Sequence, residues 1–187
     1  MARNPIDKNS RQYLNRQMQG ARGTTILICL FTMINLFLLV SNRDVYYLFS
    51  ASVPYYLTMI ALFMDNGLFT EGIIPDRFEV GNFTTIALAI SAVLLIVYLV
   101  CWIISKKKPI GLTIALVFFC IDTAALVAAV MFLELGFVEN ILDFVCHAVV
   151  IWELAVGVSA AAKQKKLPSE QEVVPAEPAR STASPEF

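Results

Sequence analysis

Apolar residues fill four long stretches of this chain, 24–41, 83–105, 112–133 and 141–162, and none of them contains Lys or Arg. About 20 helical residues reach across the roughly 30 Å of a bilayer's hydrocarbon. The pattern therefore predicts an all-α, polytopic membrane protein with four transmembrane helices. A fifth stretch, 45–64, is equally apolar and uncharged, but its chemistry differs. It carries Tyr46, Tyr47, Tyr55 and Tyr56, four of the six tyrosines, around Ser50-Ala51-Ser52 and Pro54. Tyrosine favours the membrane–water boundary, where its ring is buried and its hydroxyl is wet. These four tyrosines form a candidate interfacial aromatic surface. Ser52 is placed to cap a short helix with Pro54 in its first turn. A helix from there to Met64 is about 18 Å long, too short to cross. Residues 45–64 are expected to lie on, or dip into, the outer leaflet as an interfacial or re-entrant element. The alternative is a tight helical hairpin turning at Asn42-Arg43-Asp44.

Charge sets the orientation, because cytoplasmic loops are enriched in Lys and Arg. With four spans and both termini in the cytoplasm, 12 of the 14 basic residues fall inside. These are Arg3, Lys8, Arg11, Arg16 and Arg22, then Lys106, Lys107 and Lys108, then Lys163, Lys165, Lys166 and Arg180. Only Arg43 and Arg77 fall outside, among the acids of the outer loops. A fifth span would strand either the N-terminal basic residues or both Lys clusters on the wrong side. The expected location is the cell membrane, with the Lys clusters facing lipid headgroups.

Composition agrees. The chain is 58% hydrophobic and only 16% charged, against about 45–50% and about 25% in soluble domains. Its 187 residues hold one membrane domain, 24–162, between a basic segment, 1–23, and a tail, 163–187. The tail is rich in Pro, Ser, Glu and Ala, buries too little apolar surface to fold, and is expected to be disordered. The first apolar run, at 18 residues, exceeds the roughly 7–15 of a signal-peptide core, which favours an uncleaved anchor. Residues 9–19 are expected as a short surface helix with Tyr13, Leu14 and Met18 against lipid.

The run Phe49-Ser50-Ala51-Ser52-Val53-Pro54-Tyr55-Tyr56, the Lys-rich turn, and Cys120-Ile121-Asp122-Thr123 resemble a group of small bacterial four-helix membrane proteins with no assigned activity. The likeness covers most of the membrane region. It implies the four-span architecture and supplies no catalytic, cofactor or binding residue.

Ionisable residues inside spans are costly, by about 2.5–3.5 kcal/mol each at the helix centre. Asp122 and Glu153 are two such acids, accompanied by Asn35 and His147. Counted from the span ends at 1.5 Å per residue, Asn35, Asp122 and Glu153 lie about 17, 15 and 13–14 Å from the inner face. They are therefore expected to share one layer, where Asp122 and Glu153 could meet and Asn35 or Tyr98 could donate to them. Two close carboxylates in low dielectric do not both ionise comfortably. The group is either a proton or ion site or a set of interhelical hydrogen bonds, which average about 0.6 kcal/mol each. Asp143 and His147 share a helix face at i, i+4 and form a candidate pH-sensing pair.

No Walker A, GxGxxG, HExxH, GxSxG or CxxC motif occurs, so no enzyme class, cofactor or metal is indicated. Cys29, Cys101, Cys120 and Cys146 fall in separate stretches and are expected as buried apolar side chains. Nothing suggests nucleic acid. The function expected is that of an accessory or interaction protein, with the lipid bilayer and another membrane protein or a second copy as partners. The alternative is proton- or cation-coupled transport through Asp122 and Glu153.

Overall fold

The computed structural model describes residues 10–43, 45–67, 78–132 and 140–167. Among them are five helices and no strand: α1 (Arg11–Val40), α2 (Ser52–Asp65), α3 (Asn82–Lys107), α4 (Ile110–Phe132) and α5 (Ile141–Lys166). Four of them, α1, α3, α4 and α5, are long and apolar enough to cross a membrane. The architecture is that of a multi-pass membrane protein. The start of α1, the α3–α4 turn and the end of α5 gather at one end of the bundle, called here the basic end.

The first span is longer than the apolar pattern predicts. In place of a separate surface helix over 9–19, α1 is one continuous helix of 30 residues, about 45 Å long. Ser10 accepts from the Tyr13 N–H at 3.3 Å and caps it. The side chains expected against lipid turn inward: Leu14 and Met18 are 1% and 6% exposed in the core. The end of α5 supplies the cover. Gln164 donates to Asn15 at 2.9 Å and Arg11 to the Leu167 carbonyl at 3.4 Å. Residues 163–166, expected in the tail, are the last turn of α5. The rest of the tail, 168–187, and residues 1–9 lie outside the described residues.

α1 and α5 run antiparallel and make the most extensive helix pair. Gly157 permits their close approach, because a Cβ there would overlap the Ala21 methyl. Apolar burial drives helix association weakly in lipid, so such close packing matters more than area. At the basic end, α3 turns into α4 over two residues, Lys108 and Pro109. A Cβ at Gly111 would fall on the Cys101 carbonyl and 2.6 Å from the Ser105 nitrogen, so this turn requires glycine. Cys29, Cys101 and Cys146 are buried as expected, whereas Cys120 is exposed; all four are free.

α2 is re-entrant. After α1 ends at Val40, the chain runs back toward the bundle interior in non-helical conformation, then α2 returns outward against α3. Its far end is tied to α3 by two side chains. Asp65 accepts from the N–H groups of Gly81, Phe83 and Thr84 and from the Thr84 hydroxyl, at 2.6–3.1 Å. Asn66 pairs with both backbone groups of Glu79, at 2.8 and 3.0 Å. Asp65 therefore caps α3 from 16–19 residues away, satisfying N–H groups that a helix start leaves open. Desolvation pushes the Asp65 carboxyl up, but these four hydrogen bonds outweigh it and hold the group below the ordinary carboxylate range.

A lowered folded-state value means that Asp65 stabilises fully above the unfolded carboxylate pKa, about 3.9, and loses that contribution as the pH falls through its folded value. Acid unfolding in detergent, followed by helicity, is therefore expected to be less steep below about pH 4 in Asp65→Asn than in the wild type. Identical acid profiles would refute this role.

Candidate functional site

The non-helical backbone of residues 45–51 leads from the surface to the buried start of α2, and backbone groups that protein covers need protein partners. Three polar side chains do so. Asn35 donates to the Tyr47 carbonyl at 2.7 Å and accepts from the Tyr47 N–H at 2.8 Å. It also donates to the Ser50 hydroxyl at 2.9 Å. Thr32, one turn deeper, accepts from the Ala51 N–H at 2.7 Å while its own hydroxyl donates back to the Ile28 carbonyl. Asp122 of α4 accepts from the N–H groups of Ser52 and Val53, both at 2.8 Å. Asn35, Thr32, Ser50 and Ser52 are at most 1% exposed, and Asp122 is 5% exposed.

Ser52 thus does not cap α2, contrary to expectation. It is the first helical residue, and Ala51 at the cap position has no side chain for the task. Asp122 does the capping from another helix, placing a carboxylate at a helix N-terminus, where it complements the open N–H groups and the positive dipole end.

His147 completes the arrangement. Its Nδ1 lies 2.9 Å from the Asp143 carbonyl, which can only accept, so Nδ1 carries a proton. Its Nε2 lies 3.3 Å from Asp122 Oδ2 and 3.2 Å from the Ser52 hydroxyl. Nε2 thus faces both the carboxylate that caps α2 and the hydroxyl of the first α2 residue. The imidazole is 2% exposed and stacks on Phe119, with centroids 4.9 Å apart. The expected i, i+4 link of Asp143 with His147 exists, but through the Asp143 main chain rather than its carboxylate.

The single layer of Asn35, Asp122 and Glu153 does not form. Asp122 meets His147, and Glu153 lies six residues further along α5, about 9 Å toward the basic end. Glu153 instead accepts a hydrogen bond from Thr24 of α1 and is exposed on the bundle exterior. Depths counted from apolar boundaries failed because α1 is offset: Glu153 faces Thr24, the residue taken as the inner limit of the first span. Asn35 donates to the re-entrant backbone and not to an acid. The Tyr98 hydroxyl, a second expected donor, is buried with no hydrogen-bond partner among the described residues. Sequence reasoning missed Thr32 and the Asp122–His147 pair. The available signal for the pair was that His147 is the sole histidine and sits in the span following an acid-bearing one.

Three of the four tyrosines form an aromatic cluster at the far end, and Tyr47 stands apart from it. Tyr46 packs edge-on against Tyr55 at 4.8 Å, and Tyr55 against Tyr56 at 5.6 Å. Tyr56 donates to Asn140 at 3.2 Å, and the Tyr46 hydroxyl lies 3.0 Å from Ser50. Tyr47 alone of the four is exposed, at 45%, stacked on Phe31. Lys106, Lys107, Lys108, Lys163, Lys165 and Lys166 are all exposed at the basic end. Among the described residues, no three His, Cys, Asp or Glu side chains cluster to hold a metal.

No protein-family model, curated protein or solved structure matches the chain.

Removing the Asp122 carboxylate leaves two α2 N–H groups unpaired at depth. Asp122→Ala is expected to lower stability in detergent by about 2–4 kcal/mol and to speed hydrogen exchange of the residue 52–53 amides. Asp122→Asn, which retains one acceptor oxygen, should fall between it and the wild type. Wild-type exchange at those amides in Asp122→Ala would refute the capping role.

Proposed function

We propose that this chain is an accessory protein of the cell membrane, acting by contact and seated with its basic end in the cytoplasm. The observation that carries this reading is Glu153. Acids within spans almost always face a bundle interior or a water-filled cavity, yet this one is exposed on the exterior, with Thr24 as its hydrogen-bond donor. It stands about 15 Å along α5 from Lys163. The surface around it is shallow and concave, with a cavity of about 260 Å³ between Gln17, Gly20 and Ala21 of α1 and Trp152 and Val156 of α5. Trp152 is 72% exposed beside it. A helix of another chain lying along this groove would remove the carboxylate from lipid and offer it a second donor. The distribution of Lys and Arg supports the orientation.

The transport alternative draws less support from the geometry. Asp122 is occupied by α2 and His147, and Glu153 by Thr24, at different depths. The resemblance to small bacterial four-helix membrane proteins remains part of this proposal. The two segments that carry it, 49–56 and 120–123, are those joined by the Asp122 bonds to Ser52 and Val53.

A photo-crosslinker at Val156 in native membranes is expected to yield one defined adduct, lost in Glu153→Ala, while a crosslinker at Leu142 yields none. Loss of the adduct should leave the melting temperature of the purified protein unchanged within a few degrees. Proton flux in proteoliposomes that Asp122→Asn abolishes would overturn the reading in favour of transport. An adduct indifferent to Glu153 would remove its basis.

A further inference from the structure

At the basic end, α1, α5 and the α3–α4 turn enclose a cavity of about 720 Å³. That volume falls within the roughly 300–1,000 Å³ of small-molecule sites. Six of its lining residues are cationic, namely Arg11, Arg22, Lys106, Lys107, Lys108 and Lys165, and none is acidic. They come from three separate parts of the chain, so no local charge run accounts for their convergence.

Several of these groups are already positioned. Arg11 donates to the Leu167 carbonyl at 3.4 Å. The Lys106 ammonium rests 3.5 Å from the centroid of the Trp102 ring, a cation–π contact that holds it in place. Asn15 and Gln164 join the α1 and α5 walls. α4 begins at Ile110 on the cavity wall, so the positive end of its dipole adds to the field. Arg22 supplies the most specific signal: its Nε is buried and has no hydrogen-bond partner among the described residues. A buried guanidinium N–H left unpaired is costly unless an acceptor fills the space before it.

Like charges gathered around one cavity repel one another, and an anion of more than one charge relieves all of them together. The guanidinium fork matches the oxygens of a phosphate group. Basic pockets between membrane helices on the cytoplasmic side suit anionic headgroups. We infer that this cavity binds a phosphate-bearing anion, a phosphomonoester or diphosphate, with Arg22 and Lys107 among its ligands. This inference is independent of the contact surface at Glu153.

Two arms separate a free anion from a lipid headgroup. In the first, inorganic pyrophosphate is titrated into the full-length protein in neutral detergent. In the second, the protein in phosphatidylcholine nanodiscs, with or without phosphatidic acid, is released into a native mass spectrometer. Binding in either arm should weaken about tenfold in Arg22→Gln and in Lys107→Gln, and should be unchanged in Arg16→Gln, which removes an exposed charge outside the cavity. Pyrophosphate binding with that pattern assigns a soluble ligand; phosphatidic acid retention alone, with the same pattern, assigns a headgroup. Lys107 is exposed, so its variant reads the site even if Arg22→Gln fails to fold. Equal weakening in Arg16→Gln, or no binding in either arm, overturns the inference.

Discussion

The structure depends on a carboxylate that satisfies backbone from another helix. Where the chain turns back into the bundle, buried N–H and C=O groups outside regular helix need partners from other side chains. Asp122 accepts from the first two N–H groups of α2, and Asn35 and Thr32 pair the approach to it. Without them, the non-helical segment would carry several kcal/mol of unpaired polar groups. The re-entrant element, and with it the aromatic cluster at the far end, exists because these side chains reach it.

That use explains why an acid is tolerated inside the bundle. Asp122 receives two main-chain donors and lies against the His147 imidazole, and His147 is held in turn by Phe119 and the Asp143 carbonyl. Every strong acceptor on the carboxylate has a partner, which is the condition under which a buried charge stabilises. Asp65 repeats the device nearer the surface, capping α3 across a long chain separation. Glu153 is the exception. Its exposed position marks a face where the single chain leaves a polar group without full cover, as the basic cavity does nearby on the same half of α1.

Sequence pattern and structure part company where two helices must be brought into register. Apolar length identified the spans because crossing a bilayer is a local requirement met by consecutive residues. The tyrosine-rich stretch could be told from a span for the same kind of reason: Tyr, Pro and Ser act locally on depth and backbone. The inward extension of α1 was not legible. Residues 9–19 have only a thin apolar face, and Leu14 and Met18 are buried because α5 happens to run alongside. The layer of polar residues was misread because each depth was counted from its own span's boundary, and those boundaries do not lie in one plane.

By itself the amino-acid sequence determined how many helices are long and apolar enough to cross, the all-α class, a fifth and shorter tyrosine-rich element, and which positions carry charge, since hydrophobic length and residue chemistry act over neighbouring residues. Tertiary structure alone decided which polar groups meet: Asp122 with Ser52, Val53 and His147, Glu153 with Thr24, and Arg11 and Arg22 with the Lys106–Lys108 turn and Lys165. Those encounters join residues up to 154 positions apart, and the rotation and axial offset of packed helices are set by side-chain interlocking across the interface, which no single stretch of chain encodes.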